Sequence, residues 1–229
     1  MLQQLHEKLW VAEMPAELAG FEYGARMTVI RLHDGKLFIH SPIELSTELK
    51  QELDELGEIG FVVSPFKRHY MHLQEFFVAY PEARFYAAPN FKFGKMPEVR
   101  FAGRLKHSPR PEWARDLDQA AVRGNALVDE IVFLHRESRS IIVTDLCFNI
   151  PADRSQTTQL IAGVLGVREQ LAPSRTFKML TRNRTLVRQS IRKMLKWDFD
   201  RVILSHGSIV ESGGKEAFKH AFAYLFARK

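Results

Sequence analysis

Residues 198–215 read DFDRVILSHGSIVESGGK. Val202, Ile203 and Leu204 form an apolar run too short for a helix, which predicts a short strand buried on both faces. The strand stops at Ser205-His206-Gly207. A histidine at the C-terminal lip of a strand, with glycine behind it, can point into a cleft without crowding. Loops at strand ends are where α/β proteins keep their chemistry. Taken alone, such a histidine more often caps its own strand by a local hydrogen bond, so the neighbouring sequence has to be read for partners.

Immediately upstream, Thr181 to Trp197 has the spacing of an amphipathic helix. Val187, Ile191, Met194 and Leu195 make its buried side, and Arg184, Arg188, Arg192 and Lys196 recur at i, i+4 as a basic stripe. Downstream, residues 214–226 predict a last helix with Phe218, Phe222, Leu225 and Phe226 on one side. Towards the N-terminus, Asp153 is a plausible cap for a helix running to about Gln170. Leu127 to Leu134 and Ser140 to Thr144 predict two strands around a charged turn, with Asp145 directly after the second. Ala83 to Ala87 and Ile59 to Val63 predict short strands, with a helix from Met71 to Pro81 and another over Glu44 to Leu56, closed by Gly57. Arg26 to Leu32 and Lys36 to His40 flank His33-Asp34-Gly35, whose Asp-Gly pair suits a tight hairpin. Trp10 to Gly20 reads as an irregular arm, and residues 88–112, rich in proline and basic residues, as a surface excursion. Antiparallel hairpins mixed with helix-separated strands point to two mixed sheets flanked by helices, an α+β class.

The chain of 229 residues, 45% hydrophobic and 26% charged, is long enough to bury a full core as one domain over 1–229. Its single cysteine, Cys147, excludes an intramolecular disulfide and fits a reducing compartment. Glu7 and Lys8 interrupt any apolar signal core, and no run reaches the ~18 apolar residues of a spanning helix, so a cytoplasmic protein without a membrane segment is expected. The net charge of +6 permits an anionic partner without identifying one.

Several polar residues share one position, the residue after a buried strand: His40, the Pro65–His72 segment, Asp145 and His206. If these strand ends meet at one edge, two histidines and a carboxylate form a set suited to a divalent transition metal with open positions. Such an ion would lower the pKa of a water near neutral pH. No H-x-H or H-E-x-x-H pattern supports this by spacing, although His69 and His72 are three apart. His135 falls in a hairpin turn and is expected to be exposed, as are His33, His107 and His220. Cys147 either lines the cleft or fills a small core space, and Gly213-Gly214-Lys215 is too short for a phosphate loop.

Four segments carry a family resemblance: LFIHSPIELS (37–46), PFKRHYMHLQEFFVAYPEARFYAAP (65–89), EIVFLHRESRSIIVTDLCFNI (130–150) and WDFDRVILSHG (197–207). In this order they resemble the metallo-β-lactamase superfamily, and more closely a poorly characterised branch of it known as a domain of unknown function. The resemblance implies an αββα sandwich with a one- or two-metal hydrolase centre at one edge. It places Asp145 at the superfamily's metal-bridging aspartate and His206 at its last histidine ligand. The signature T-H-x-H-x-D-H is replaced by Ser64-Pro65-Phe66-Lys67-Arg68-His69-Tyr70. Pro65 and Lys67 stand at histidine positions, His69 at the aspartate and Tyr70 at another histidine, and no histidine lies near Gly124-Asn125. An inward Lys67 would repel a dication.

The set that remains is His69, Asp145 and His206, with His40, His72, Lys67 and Tyr70 as candidates for a surrounding shell. It implies one divalent ion (Zn, Fe or Mn) or none. The expected activity is hydrolysis of an ester, thioester, lactone or phosphoester of a small, anionic substrate, with His69 and Asp145 at the reacting atoms. The alternative is a non-enzymatic module using the residual cleft, or Arg184, Arg188 and Arg192, for an anionic ligand or macromolecule. The helix lacks interleaved aromatic residues for stacking bases, so nucleic acid is not the expected partner.

Overall fold

In a computed structural model, which describes residues 1–227, the chain builds two main sheets. The first half gives β1 (Gln3–His6), β2 (Leu9–Met14), the short β3 (Glu17–Leu18) and β4 (Phe21–Glu22), β5 (Ala25–Arg31), β6 (Leu37–His40), α1 (Thr47–Leu56), β7 (Ile59–Ser64), α2 (Leu73–Ala79), β8 (Arg84–Ala87) and β9 (Phe101–Arg104). The second half gives β10 (Leu117–Ala121), β11 (Ile131–His135), β12 (Ser140–Val143), α3 (Gln156–Leu165), α4 (Arg175–Met179), α5 (Arg184–Leu195), β13 (Arg201–Leu204) and α6 (Gly214–Ala221).

A seven-stranded sheet has the order β1-β2-β5-β6-β7-β8-β9, and a four-stranded sheet has the order β10-β11-β12-β13. The β5–β6 pair is the antiparallel hairpin expected around Asp34-Gly35. From β6 to β9 the pairing is parallel, as it is between β12 and β13. Parallel strands end at the same edge, which is what brings distant strand-end residues together.

Burial explains the layers. Phe38, Phe61, Val63 and Tyr86 of the large sheet share one cluster with Leu117, Ile131, Phe133, Ile142 and Ile203 of the small one, so these faces pack on each other. Trp113 sits fully buried among Phe38, Phe61 and Tyr86, its indole N–H donating to the Gln119 side chain at 3.0 Å. The opposite face of the large sheet is covered by Leu49 and Leu53 of α1 and Leu73 and Phe76 of α2. The outer face of the small sheet is covered by Val187, Ile191 and Met194 of α5 and Phe218 of α6. The architecture is thus helices, sheet, sheet, helices, as the resemblance implies.

Several segments differ from the sequence expectation: the helix expected from Asp153 to about Gln170 is capped by the Ser155 hydroxyl and ends at Leu165, and the strand expected from Leu127 begins at Ile131. The Trp10–Gly20 arm begins as strand β2, paired on both sides, with Leu9, Trp10, Val11 and Ala12 buried. Within the 88–112 excursion, Phe101–Arg104 adds an edge strand to β8. Its Phe-Ala-Gly-Arg sequence has little strand preference, and pairing to a formed sheet supplies what the residues lack. The same holds for β10, LDQAA, which is antiparallel to β11.

Candidate functional site

The ends of β6, β7, β12 and β13 converge at one edge. There a nitrogen of His69, a carboxylate oxygen of Asp145 and a nitrogen of His206 all lie within 4.8 Å of one another. His69 reaches this point because the chain after β7 turns back, its N–H donating to the Phe66 carbonyl at 2.9 Å. Asp145 follows β12 and is held by a group the sequence reading passed over. Glu130 is fully buried and accepts from the backbone N–H of Thr144 at 2.6 Å and of Leu146 at 2.8 Å, one on each side of Asp145. Burial pushes the Glu130 carboxyl up to about 8, against the hydrogen bonds it accepts.

His206 is fixed on every side. Its ring stacks on Phe148 (5.4 Å, 12°) and meets the Tyr23 ring edge-on at 5.0 Å. Gly207 has φ +83°, and a Cβ there would lie 2.1 Å from the Asn149 carbonyl oxygen, so the turn admits only glycine. The buried Arg26 guanidinium donates to the carbonyls of Leu204 and Gly207 and pairs with Glu13, strapping the turn to the large sheet.

The hydrogen bonds define proton positions. His206 Nδ1 lies 2.6 Å from the Gly24 carbonyl oxygen, which can only accept, so Nδ1 carries a proton. In a neutral ring Nε2 is then bare, yet it faces Asp145 Oδ1 at 3.2 Å. A bare nitrogen opposite a carboxylate oxygen requires a cation between them or a second proton on the ring. His69 differs. Its Nε2 lies 3.1 Å from the same Oδ1, and its Nδ1 meets the Ser41 hydroxyl, which can donate or accept. Ser41 makes this contact from a left-handed backbone (φ 57°), unusual for a residue with a Cβ. Burial pushes the Asp145 carboxyl up, but the two imidazoles of His206 and His69 set against it more than reverse this and hold it well below the usual carboxylate range. Burial pulls His69 down, and Asp145 only partly restores it.

The other sequence candidates are not members of this trio. His40 is buried beside it with neither ring nitrogen hydrogen-bonded, and burial, with His69 nearby, pushes it down to about 3. His72 precedes α2 and pairs with Glu75 at 3.1 Å. Tyr70 packs on Phe91 with Lys95 over its ring. Lys67 has its Nζ 3.8 Å from Asp129, so its charge is directed to a carboxylate. Cys147 is fully buried in the core of the small sheet. His135 is buried too, contrary to expectation, because β11 continues through it to pair with Ser140. In the basic stripe, Arg184 donates to the Tyr224 carbonyl and lies over the Tyr224 ring, and Arg192 lies 5.5 Å from the centre of the Phe226 ring. Ser41, Glu130, Tyr23 and Phe148 carried no sequence signal except that Ser41 follows a strand-end histidine.

Solved structures share this architecture. A metallo-β-lactamase from Pontibacter korlensis superposes with a TM-score of 0.68 at 8% identity, covering 100% of this chain and 99% of the other. The metallo-β-lactamase FIM-1 from Pseudomonas aeruginosa, in its mono-zinc form, gives 0.67 at 11% identity, covering 99% and 94%. The Flv1 flavodiiron core from Synechocystis sp. PCC6803 gives 0.68 at 12% identity, covering 99% of this chain and 60% of that one. No curated protein matches the chain in sequence. The fold is therefore that of the metallo-β-lactamase superfamily. The chain belongs to the family described as Domain of unknown function (DUF4336), whose model matches residues 6–178.

Proposed function

We propose that the protein is a hydrolase that uses one divalent metal ion held by His69, Asp145 and His206. The observation behind this reading is that His206, with Nδ1 committed to the Gly24 carbonyl, turns Nε2 to Asp145 Oδ1, where a cation between them meets the requirement, with a second imidazole nitrogen on the same oxygen. Two neutral imidazoles and one carboxylate suit Zn, Fe or Mn, and such an ion, when bound, supplies Lewis-acid activation of a water at neutral pH. The chain's own residues do the rest. The Gly24 carbonyl fixes the His206 tautomer so that its lone pair faces inward. Ser41 does the same for His69 when its hydroxyl accepts from Nδ1. Asp145 keeps its charge far below neutral pH, so it serves as ligand and orients a water through the oxygen the histidines leave free. The substrate is a small ester, thioester, lactone or phosphoester.

Metal analysis of protein purified without chelator tests the reading, together with an esterase and phosphodiesterase panel. About one Zn, Fe or Mn per chain is expected, lost in His206→Ala together with any hydrolysis. Absence of metal from the wild type, or full metal retention in His206→Ala, would reject it.

A further inference from the structure

Asp145 also forms part of the wall of a pocket of about 170 Å³. The rest of the wall is mainly apolar, from Phe21, Phe66, Leu127, Phe148 and Phe177, and Arg68 stands in it as the one cation. Arg68 is exposed and forms no ion pair among the described residues. A larger cavity of about 510 Å³ behind Gly24 is lined by Glu13, Glu17, Glu22, Arg26 and Arg154 and contains none of the three site side chains. Of these two cavities the small one adjoins the reacting groups, and its chemistry is specific. Its volume is that of cavities that take a benzene-sized group, about six carbons. An apolar wall rewards burial of such a group, and an unpaired guanidinium at the same wall rewards a carboxylate or phosphate.

We infer that this pocket is the substrate's acyl or aryl subsite, and that the substrate is an anionic ester or thioester carrying a four- to six-carbon or phenyl group, with its negative charge on Arg68. The inference rests on the hydrolase reading for the bond that is broken, but the pocket's selectivity is measurable without turnover.

The test is binding of linear carboxylates from acetate to decanoate by isothermal titration calorimetry, with metal content determined on the same protein. Affinity is expected to rise about fourfold per methylene up to hexanoate, as full burial of a methylene implies, and then to level off. Arg68→Ala is expected to weaken hexanoate about tenfold and leave hexanol unchanged, and Leu165→Trp, which fills the pocket, to flatten the series. A wild-type series with no dependence on chain length, or one rising steadily to decanoate, overturns the inference, whatever Leu165→Trp does. Metal-free protein that still shows the rise and plateau would reject the metal centre and retain the pocket. Metal-loaded protein with a flat series would do the reverse.

Discussion

Ser41 and Glu130 show how single residues away from the three central side chains hold them in place. Ser41 contacts His69 Nδ1 from a backbone that few residues with a Cβ adopt, and strain of this kind persists where the surroundings impose it. Ser41→Ala removes the group that orients the ring. Its metal affinity, measured by competition with a chelator, should fall about 10- to 100-fold with little change in melting temperature. Glu130 serves the two amides that flank Asp145. Glu130→Ala leaves both buried donors without partners, at a cost of about 1–3 kcal/mol each. Urea unfolding should show that loss, and Glu130→Gln, which keeps an acceptor, should recover part of it. Asp145 and His206 were legible as strand-end residues because apolar runs announce where strands stop, whereas His69 was singled out from the Pro65–His72 segment only by the family resemblance. Ser41 and Glu130 were not, because a serine after a strand and a glutamate beside Asp129 look like any solvated loop until the fold closes over them.

Among the elements, α5 is the one whose face could be read in two ways. Its Val187, Ile191 and Met194 stripe was plain from spacing and is buried as expected. The basic stripe was plain as well, but its neighbours were not. Arg184 and Arg192 lie against Tyr224 and Phe226, which follow α6, so part of the stripe anchors the last turn of the chain. Replacing both arginines by alanine should lower stability by about 1–2 kcal/mol in chemical denaturation, from two cation–π contacts at exposed sites. The melting curve should change more than any binding of polyanions. Two of the strands that escaped the sequence reading, β9 and β10, have a common cause. In β9 and β10 the residues have weak strand preference, and neighbouring strands, formed from stronger sequences, decide their conformation.

At the scale of the whole molecule, stability depends on pH through buried histidines. Burial pulls His135 down to about 4, although Glu137 and Asp116 push the other way. Between pH 4 and 6.5 the unfolded chain therefore binds a proton at this position that the folded chain excludes, so the contribution falls as pH drops through that window. From pH 7.5 to pH 5 the wild type should lose about 2 kcal/mol more than His135→Gln, measured by urea unfolding at both values. His40, pushed down to about 3, acts with the same sign. Sequence alone determined the α+β class and most strand and helix positions, because local periodicity and turn chemistry encode these and neighbouring residues suffice to read them. The family resemblance, not periodicity, singled out His69, Asp145 and His206 and the altered signature at Ser64 to Tyr70. Only the tertiary structure decided that Lys67 faces Asp129, that His72 pairs with Glu75 and Tyr70 packs on Phe91, and that the Gly24 carbonyl holds a proton on His206 Nδ1. Those facts depend on which strand ends meet when two sheets close face to face, and the partners lie as far apart in the chain as Gly24 and His206, beyond the reach of any local pattern.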